Sequence, residues 1–175
     1  LKMLSKTITH KSDVGAVRLD ISSSDEVKIA IEQMKQKIIS EKMVEFNDSF
    51  LIEEMMPKPI VELLIGVFYD SQFGYALTIG AGGLLANLIE DAITIILPCT
   101  NQEIETALAS LKISKLLDGY RNTKPIDKIL LIKQLKKLSD FVSSIDNKII
   151  QTEINPLFVY KDKMVFVDAI VWENA

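Results

Sequence analysis

A chain of 175 residues with 25% charged and 48% hydrophobic residues is globular and not disordered, long enough for one ordinary domain or for two small lobes of one module. Its formal net charge of −4 argues against a nucleic-acid footprint, though main-chain amides and a metal ion can still hold an anionic ligand against the global sign. The single cysteine, Cys99, rules out an internal disulfide and fits a reducing cytoplasm, and the most apolar stretch, YALTIGAGGLLANLI, is interrupted by glycines and Asn87 and falls short of the about 20 apolar residues of a membrane span.

The opening LKMLS has no Met and is already strand-like, as in a chain that starts inside a domain. Residues 1–8 and 14–21 alternate or run apolar in the manner of short strands. In SSSDEVKIAIEQMKQKII, Ser23 and Glu26 form a capping box. Val27, Ile31, Met34 and Ile38 follow at helical spacing and predict an amphipathic helix of about four turns. SFLIEEMM reads as another short strand, and the PKP of 57–59 as a stiff connector. Beyond it, IVELLIGVFYD and FGYALTIG predict two paired strands joined by the turn DSQ and closed by the glycine loop GAGG.

TNQEIETALASLKISKLLDG carries start and stop signals for one helix, with Thr100 and Glu103 at its beginning and Gly119 at its end. A second helix is expected from about Pro125, with Ile129, Ile132, Leu135, Leu138 and Val142 on its buried face. KIIQTEINPLFVY and MVFVDAIVW flank the turn KDK and predict a hairpin. The order β–β–α–β, connector, β–β–α–α–β–β gives an α+β chain of two lobes.

Several residues carry chemistry in this arrangement. Glu153 and Asn155 are two apart on one strand and share a face, and folding about Lys161–Lys163 brings Asp168 near Asn155. These are hard oxygen ligands suited to Mg²⁺ beside phosphate oxygens; spacing alone favours a hairpin with polar residues on its wet face. Lys2 either reaches nucleotide phosphates or guards an edge strand. GAGG either cradles phosphates with its amides or is an ordinary turn. His10, the only histidine, is a nucleophile, a base or a plain loop residue. Glu53 and Glu54 are hinge residues over a purine or are solvated, and Glu62, inside an apolar run, is a paired buried charge or a ligand contact.

Together these pieces resemble one family, the nucleotide-binding (ATP-grasp) part of ADP-forming acyl-CoA synthetases, whose relatives include the beta subunit of succinyl-CoA synthetase. LKMLSKTITHKSDVGAVRL is similar to the family's strand lysine followed by a His-Lys-(Thr/Ser)-Asp-x-Gly-Gly-Val loop. LIEEMMP and VELLIGVFYDSQFGYALTIGAGG resemble its hinge strand, Glu-Leu-x-x-Gly strand, Asp-x-x-Phe-Gly turn and Gly-x-Gly-Gly loop, and LLDGYR, TEINPLFV and VFVDA its late signatures.

The resemblance implies a two-lobed ATP-grasp fold, with residues 1–56 as an incomplete small lobe and 57–175 as the large one. It implies ATP or ADP and Mg²⁺ as ligands: Lys2 on the phosphates, Glu53, Glu54 and Met55 along the adenine hinge, Glu62 facing the ribose, and Gly82 and Gly83 in the nucleotide loop. Asn155 and Asp168 fall on the Mg²⁺ ligands, Glu153 beside the phosphoryl group in transit, and His10 on a histidine that relays phosphate. The implied reaction is acyl-CoA + ADP + phosphate ⇌ acid + CoA + ATP, with a CoA-binding alpha subunit or domain as partner in a hetero-oligomer. The alternative is a degenerate or regulatory nucleotide-sensing domain linked to protein acetylation. The chain departs from the family pattern at Ala16, Asn87, Ile95, Gln151 and Ile170.

Overall fold

Proline on either side of Lys58 stiffens the chain at the point where it divides into two compact units, Leu1–Pro57 and Lys58–Ala175. The structure, a computed structural model, describes residues 1–5, 14–40, 49–145 and 149–173.

In the first unit, strand β1 (Lys2–Met3) pairs antiparallel with β2 (Phe50–Leu51). The strand expected over 14–21 reduces to one bridge, Val17 against Lys2. Main-chain bonds from Met3 N–H to the Ala16 carbonyl and from Arg18 N–H to the Leu1 carbonyl, both 2.9 Å, hold it there. Positive φ at Gly15 (+72°) and Asp20 (+57°) turns the chain away at both ends, so no longer ladder forms. The strand expected over 49–56 is equally short, and after Leu51 the chain runs on unpaired in any ladder.

Helix α1 (Ser24–Ser40) buries Ala30, Met34 and Ile38, with Val27 and Ile31 half-buried, so the predicted stripe holds. Met34 and Ile38 pack with Met3 and Ala16 in a small core. Its cap differs from expectation. The Ser23 hydroxyl accepts from Glu26 N–H at 3.2 Å, but the Glu26 carboxylate accepts from the N–H and hydroxyl of Ser22, at 2.7 and 3.0 Å, one residue earlier.

The second unit is built on a six-stranded sheet in the order β5-β4-β3-β6-β7, with β8 beside β6. Strands β3 (Val61–Asp70) and β4 (Gly74–Ala81) pair as predicted, and Asp70 closes their turn by accepting from the N–H groups of Gln72 and Phe73. Strand β5 (Ala92–Ile96) was not expected from the sequence; AITII lies at the sheet edge, exposed and half-buried by turns. Strand β6 (Ile149–Val159) folds back onto β7 (Met164–Phe166) and β8 (Ala169–Glu173), which gives the predicted hairpin with its second arm interrupted at Val167-Asp168.

Helices α3 (Asn101–Ser110), α4 (Ser114–Leu117) and α5 (Lys128–Ser144) carry the apolar residues that pack on Leu63, Ile65, Val67, Leu77 and Ile79. The single helix expected over 100–119 is therefore two, broken at Leu111, whose backbone is extended (ψ 142°). Along α5, Leu131, Leu135, Ser139 and Val142 are buried while Ile129 is 81% exposed, against expectation. A stripe stepped by threes drifts about 60° per step on a helix of 3.6 residues per turn, and over 142 to 129 this carries Ile129 off the core face. Among the described residues no helix is long and apolar enough to cross a membrane.

The capping box of α3 is complete. The Thr100 hydroxyl accepts from Glu103 N–H at 3.2 Å, and the Glu103 carboxylate accepts from the Thr100 N–H at 2.7 Å and its hydroxyl at 2.8 Å. The main-chain N–H first, then the hydroxyl, hold the Glu103 carboxyl below the ordinary glutamate range. A lowered folded-state pKa means that this contribution is complete above about pH 4.3 and is lost as pH falls through the folded value. Thr100→Ala is expected to lower stability by about 1 kcal/mol in urea denaturation at pH 7, with a smaller difference from the parent below pH 4.

Candidate functional site

The two-residue period of β3 sends Val61, Leu63, Ile65 and Val67 into the helix-covered core. Glu62, Leu64, Gly66 and Phe68 are thereby left on the opposite face. Register carries that face across the sheet: Glu62 lies opposite Phe158, Gly66 opposite both Thr78 and Glu153, and Glu153 opposite Ile170. Glu153 and Asn155 flank the buried Ile154, so the expectation that they share a face holds.

At the end of this face a bulge shapes the corner. Leu63 lies opposite Leu157 and Ile65 opposite Ile154, which leaves one extra residue on β6 at Asn155-Pro156, a cis peptide. Asn155 N–H donates to the Asp168 carbonyl at 3.1 Å and Val167 N–H to the Pro156 carbonyl at 3.2 Å. These bonds explain the break between β7 and β8, and they bring Asp168 beside Asn155 as folding about the KDK turn implies.

The glycine loop closes over the same corner. Gly80 and Ala81 belong to β4; Gly82 is extended, and a turn of 3-10 helix (Gly83–Leu85) leads into α2 (Ala86–Ile89). Gly82 N–H donates to the Glu62 carbonyl and Gly83 N–H to Asn155 Oδ1, each at 2.9 Å. A Cβ on Gly82 would lie 2.4 Å from the Leu63 carbonyl carbon. Gly83 has φ +59°, and a Cβ there would lie 1.8 Å from Glu62 Oε2. Glu62, Gly82, Gly83, Asn155 and Asp168 are thus brought together by sheet register and loop closure. The N–H groups of Gly82 and Gly83 are engaged by the protein, so in this structure the loop seats the Asn155 amide and does not offer those two donors to a phosphate.

The donors expected at this corner are the neutral Asn155 amide oxygen and the carboxylate of Asp168, whose main chain lies beside Asn155, with Glu153 two residues along the same strand. Asn155 Oδ1 gives one lone pair to Gly83 N–H and keeps the other. Among the described residues no group of three or more His, Cys, Asp or Glu side chains is placed to hold a metal ion. Two protein oxygens do not make a closed cage, but they fit Mg²⁺, which takes one or two protein carboxylates or carbonyls and completes its shell with phosphate and water.

In the first unit the Lys2 ammonium pairs with Glu53 at 2.8 Å, the two side chains 16% and 42% exposed. Glu54 and Met55 follow, exposed and outside any strand. His10 lies in the segment 6–13, outside the described residues. Of the positions that depart from the family pattern, Ala16 is fully buried, Ile95 packs against the main core, Asn87 is exposed on α2 and Ile170 lies opposite Glu153. A residue that sequence reasoning missed is Asp91, whose only signal was an acid placed directly before an apolar run.

A model of the ATP-grasp domain matches residues 1–172. The beta subunit of acetate–CoA ligase (ADP-forming) II from Pyrococcus furiosus is 32% identical over 97% of this chain and 72% of its own length. Acetate–CoA ligase (ADP-forming) II from Archaeoglobus fulgidus is 33% identical over 97% of this chain, which spans 24% of that longer protein. Among solved structures, acetyl-coenzyme A synthetase 1 of Ca. Korarchaeum cryptofilum with coenzyme A and Ca-AMPCP has a TM-score of 0.90 at 28% identity, covering 99% of this chain and 75% of that one. The same synthetase with coenzyme A and Mg-AMPPCP, its phosphohistidine segment pointing towards the nucleotide-binding site, gives a TM-score of 0.82 at 29% identity over the same shares. With an α+β architecture that superposes on these structures along nearly its whole length, the chain belongs to the ATP-grasp domain family.

Proposed function

We propose that this chain is the nucleotide-binding part of an ADP-forming acyl-CoA synthetase, an acid–CoA ligase that moves phosphate between ADP or ATP and a phosphohistidine on a CoA-binding alpha subunit or domain. The observation that carries the reading is the corner where Glu62, the Gly82-Gly83 loop and Asn155 meet, with Gly83 N–H fixing Asn155 Oδ1 at 2.9 Å. It is supported by the relatives, which are named as ligases and, in Pyrococcus furiosus, as a separate beta subunit. They lend nothing to the regulatory alternative.

Phosphoryl transfer demands positioning and charge stabilisation more than covalent work by the protein. The second unit supplies Glu62 for the ribose and Asn155 with Asp168 to hold Mg²⁺. A Mg²⁺ held there would offset charge on the phosphate oxygens. Glu153, on the same strand face as Asn155, orients the phosphoryl group in transit. The first unit supplies Lys2 for the phosphates and Glu53, Glu54 and Met55 for the adenine. The Lys2–Glu53 pair is partly exposed and of the weak kind, so an arriving polyphosphate can take the ammonium from the carboxylate. His10 serves as a carrier, splitting one long transfer into two shorter ones.

Two measurements test the reading on the intact protein. Mg·ATP at 100 times its Kd should stabilise the fold by about 2.7 kcal/mol in a thermal melt, and the CoA-binding partner should make ATP formation from acetyl-CoA, ADP and phosphate depend on this chain. No stabilisation and no ATP would refute it.

A further inference from the structure

Asp91 is 7% exposed, one of two buried polar or charged residues in the described chain, and the mechanism above does not use it. Its place in the chain is where the loop that begins at Gly82 returns to the sheet. Its carbonyl accepts from Ala81 N–H at 2.8 Å, immediately before Gly82. Its carboxylate reaches into the helical layer and accepts from the N–H of Lys112 at 2.8 Å and of Ile113 at 2.9 Å, where α3 ends and α4 begins. The Lys112 ammonium in turn donates to the carbonyl of Ile89, the last residue of α2, at 2.8 Å. Gly80 leaves the room this requires, since a Cβ on it would lie 2.7 Å from the Asp91 carbonyl oxygen.

One residue therefore joins both ends of the glycine loop and bolts them to the helices. The start of the same loop holds Asn155 Oδ1 through Gly83 N–H. A buried carboxylate satisfied by two main-chain donors is a stiff joint, because each bond is charge-assisted and both donors belong to the backbone between α3 and α4. We propose that Asp91 is a positioning residue for the phosphate end of the nucleotide: it fixes the Gly82-Gly83 loop and, through Gly83, the orientation of the Asn155 amide towards Mg²⁺ and the polyphosphate. This rests on the nucleotide-binding reading above but assigns a residue that makes no contact with the ligand.

The test is Asp91→Asn in the intact protein. The amide is isosteric, yet it can accept from only one of the two N–H groups and turns a donor on the other. Mg·ATP and adenosine are titrated separately, because adenosine lacks the groups that Asn155 and the loop would serve. The expected result is a Kd for Mg·ATP raised about tenfold with the Kd for adenosine unchanged, and faster amide hydrogen exchange at Gly83. Lys112→Ala, which removes an exposed tie to Ile89, should give the same pattern more weakly and guards against a variant that does not fold. Equal loss of both ligands, or no change in either variant, overturns the inference alone. Failure of the parent protein to bind Mg·ATP overturns the nucleotide reading and the inference with it.

Discussion

Asp168→Ala is expected to weaken Mg·ATP binding by about a hundredfold or more, while the far-ultraviolet spectrum and the cooperativity of thermal unfolding stay those of the parent. The main-chain hold on Asp168 survives the substitution. The ladder uses its main chain, through Asn155 N–H donating to its carbonyl at 3.1 Å, and alanine keeps that bond. The substitution leaves Asn155 as the only hard oxygen donor of the pair, with one of its lone pairs already given to Gly83 N–H. Mg²⁺ holds its waters tightly and is recruited by anionic oxygen, so a neutral amide alone is a poor site. Asp168→Asn, which preserves shape and an oxygen but not the charge, should fall between the two. Calorimetric titration with and without a chelator reads the effect; binding of Mg·ATP by Asp168→Ala at parental strength removes Asp168 from the metal site.

What made this corner legible in the sequence was short-range arithmetic. A period of two places Glu153 with Asn155, and a three-residue turn folds Asp168 back to the same level. What made the rest illegible was interaction at a distance. The break of the 100–119 helix at Leu111 has no signal in its own segment, because the acceptor that claims the N–H groups of Lys112 and Ile113 is Asp91, 21 and 22 residues earlier. Strand β5 was missed because AITII is short and its reason to be extended is β4, against which it pairs from Ile96 opposite Ala76 to Ala92 opposite Gly80. GAGG was readable as glycine-rich but not as to purpose. Its two N–H groups at Gly82 and Gly83 point to partners on β3 and β6, 20 and 72 residues away in sequence, and only the closed sheet shows that they are taken.

That closure gives the second large effect, an ordering between adjacent glycines. Gly82 has ordinary extended angles, φ −105° and ψ −177°, so alanine there meets no torsional penalty. It meets the backbone of β3 instead: the added Cβ would stand 2.4 Å from the Leu63 carbonyl carbon, 2.5 Å from its oxygen and 2.8 Å from Leu64 N. Strand β3 is paired on both sides and cannot retreat, so the loop must lift, breaking the Gly82 N–H bond to the Glu62 carbonyl. The expected cost is about 2–3 kcal/mol of stability, with Mg·ATP binding lost as Asn155 is released. Gly83 presents the opposite case. Its φ of +59° makes alanine cost about 1 kcal/mol, but the atoms in the way are Glu62 Oε2 and Cδ, the carboxylate end of a side chain that can swing aside. Gly83→Ala should therefore fold nearly as well as the parent and lose affinity through displaced Glu62. Urea denaturation and nucleotide titration of the two variants decide it. If Gly83→Ala proves the more destabilised, the loop is not pinned to β3 as described, and the seating of Asn155 by that loop fails with it.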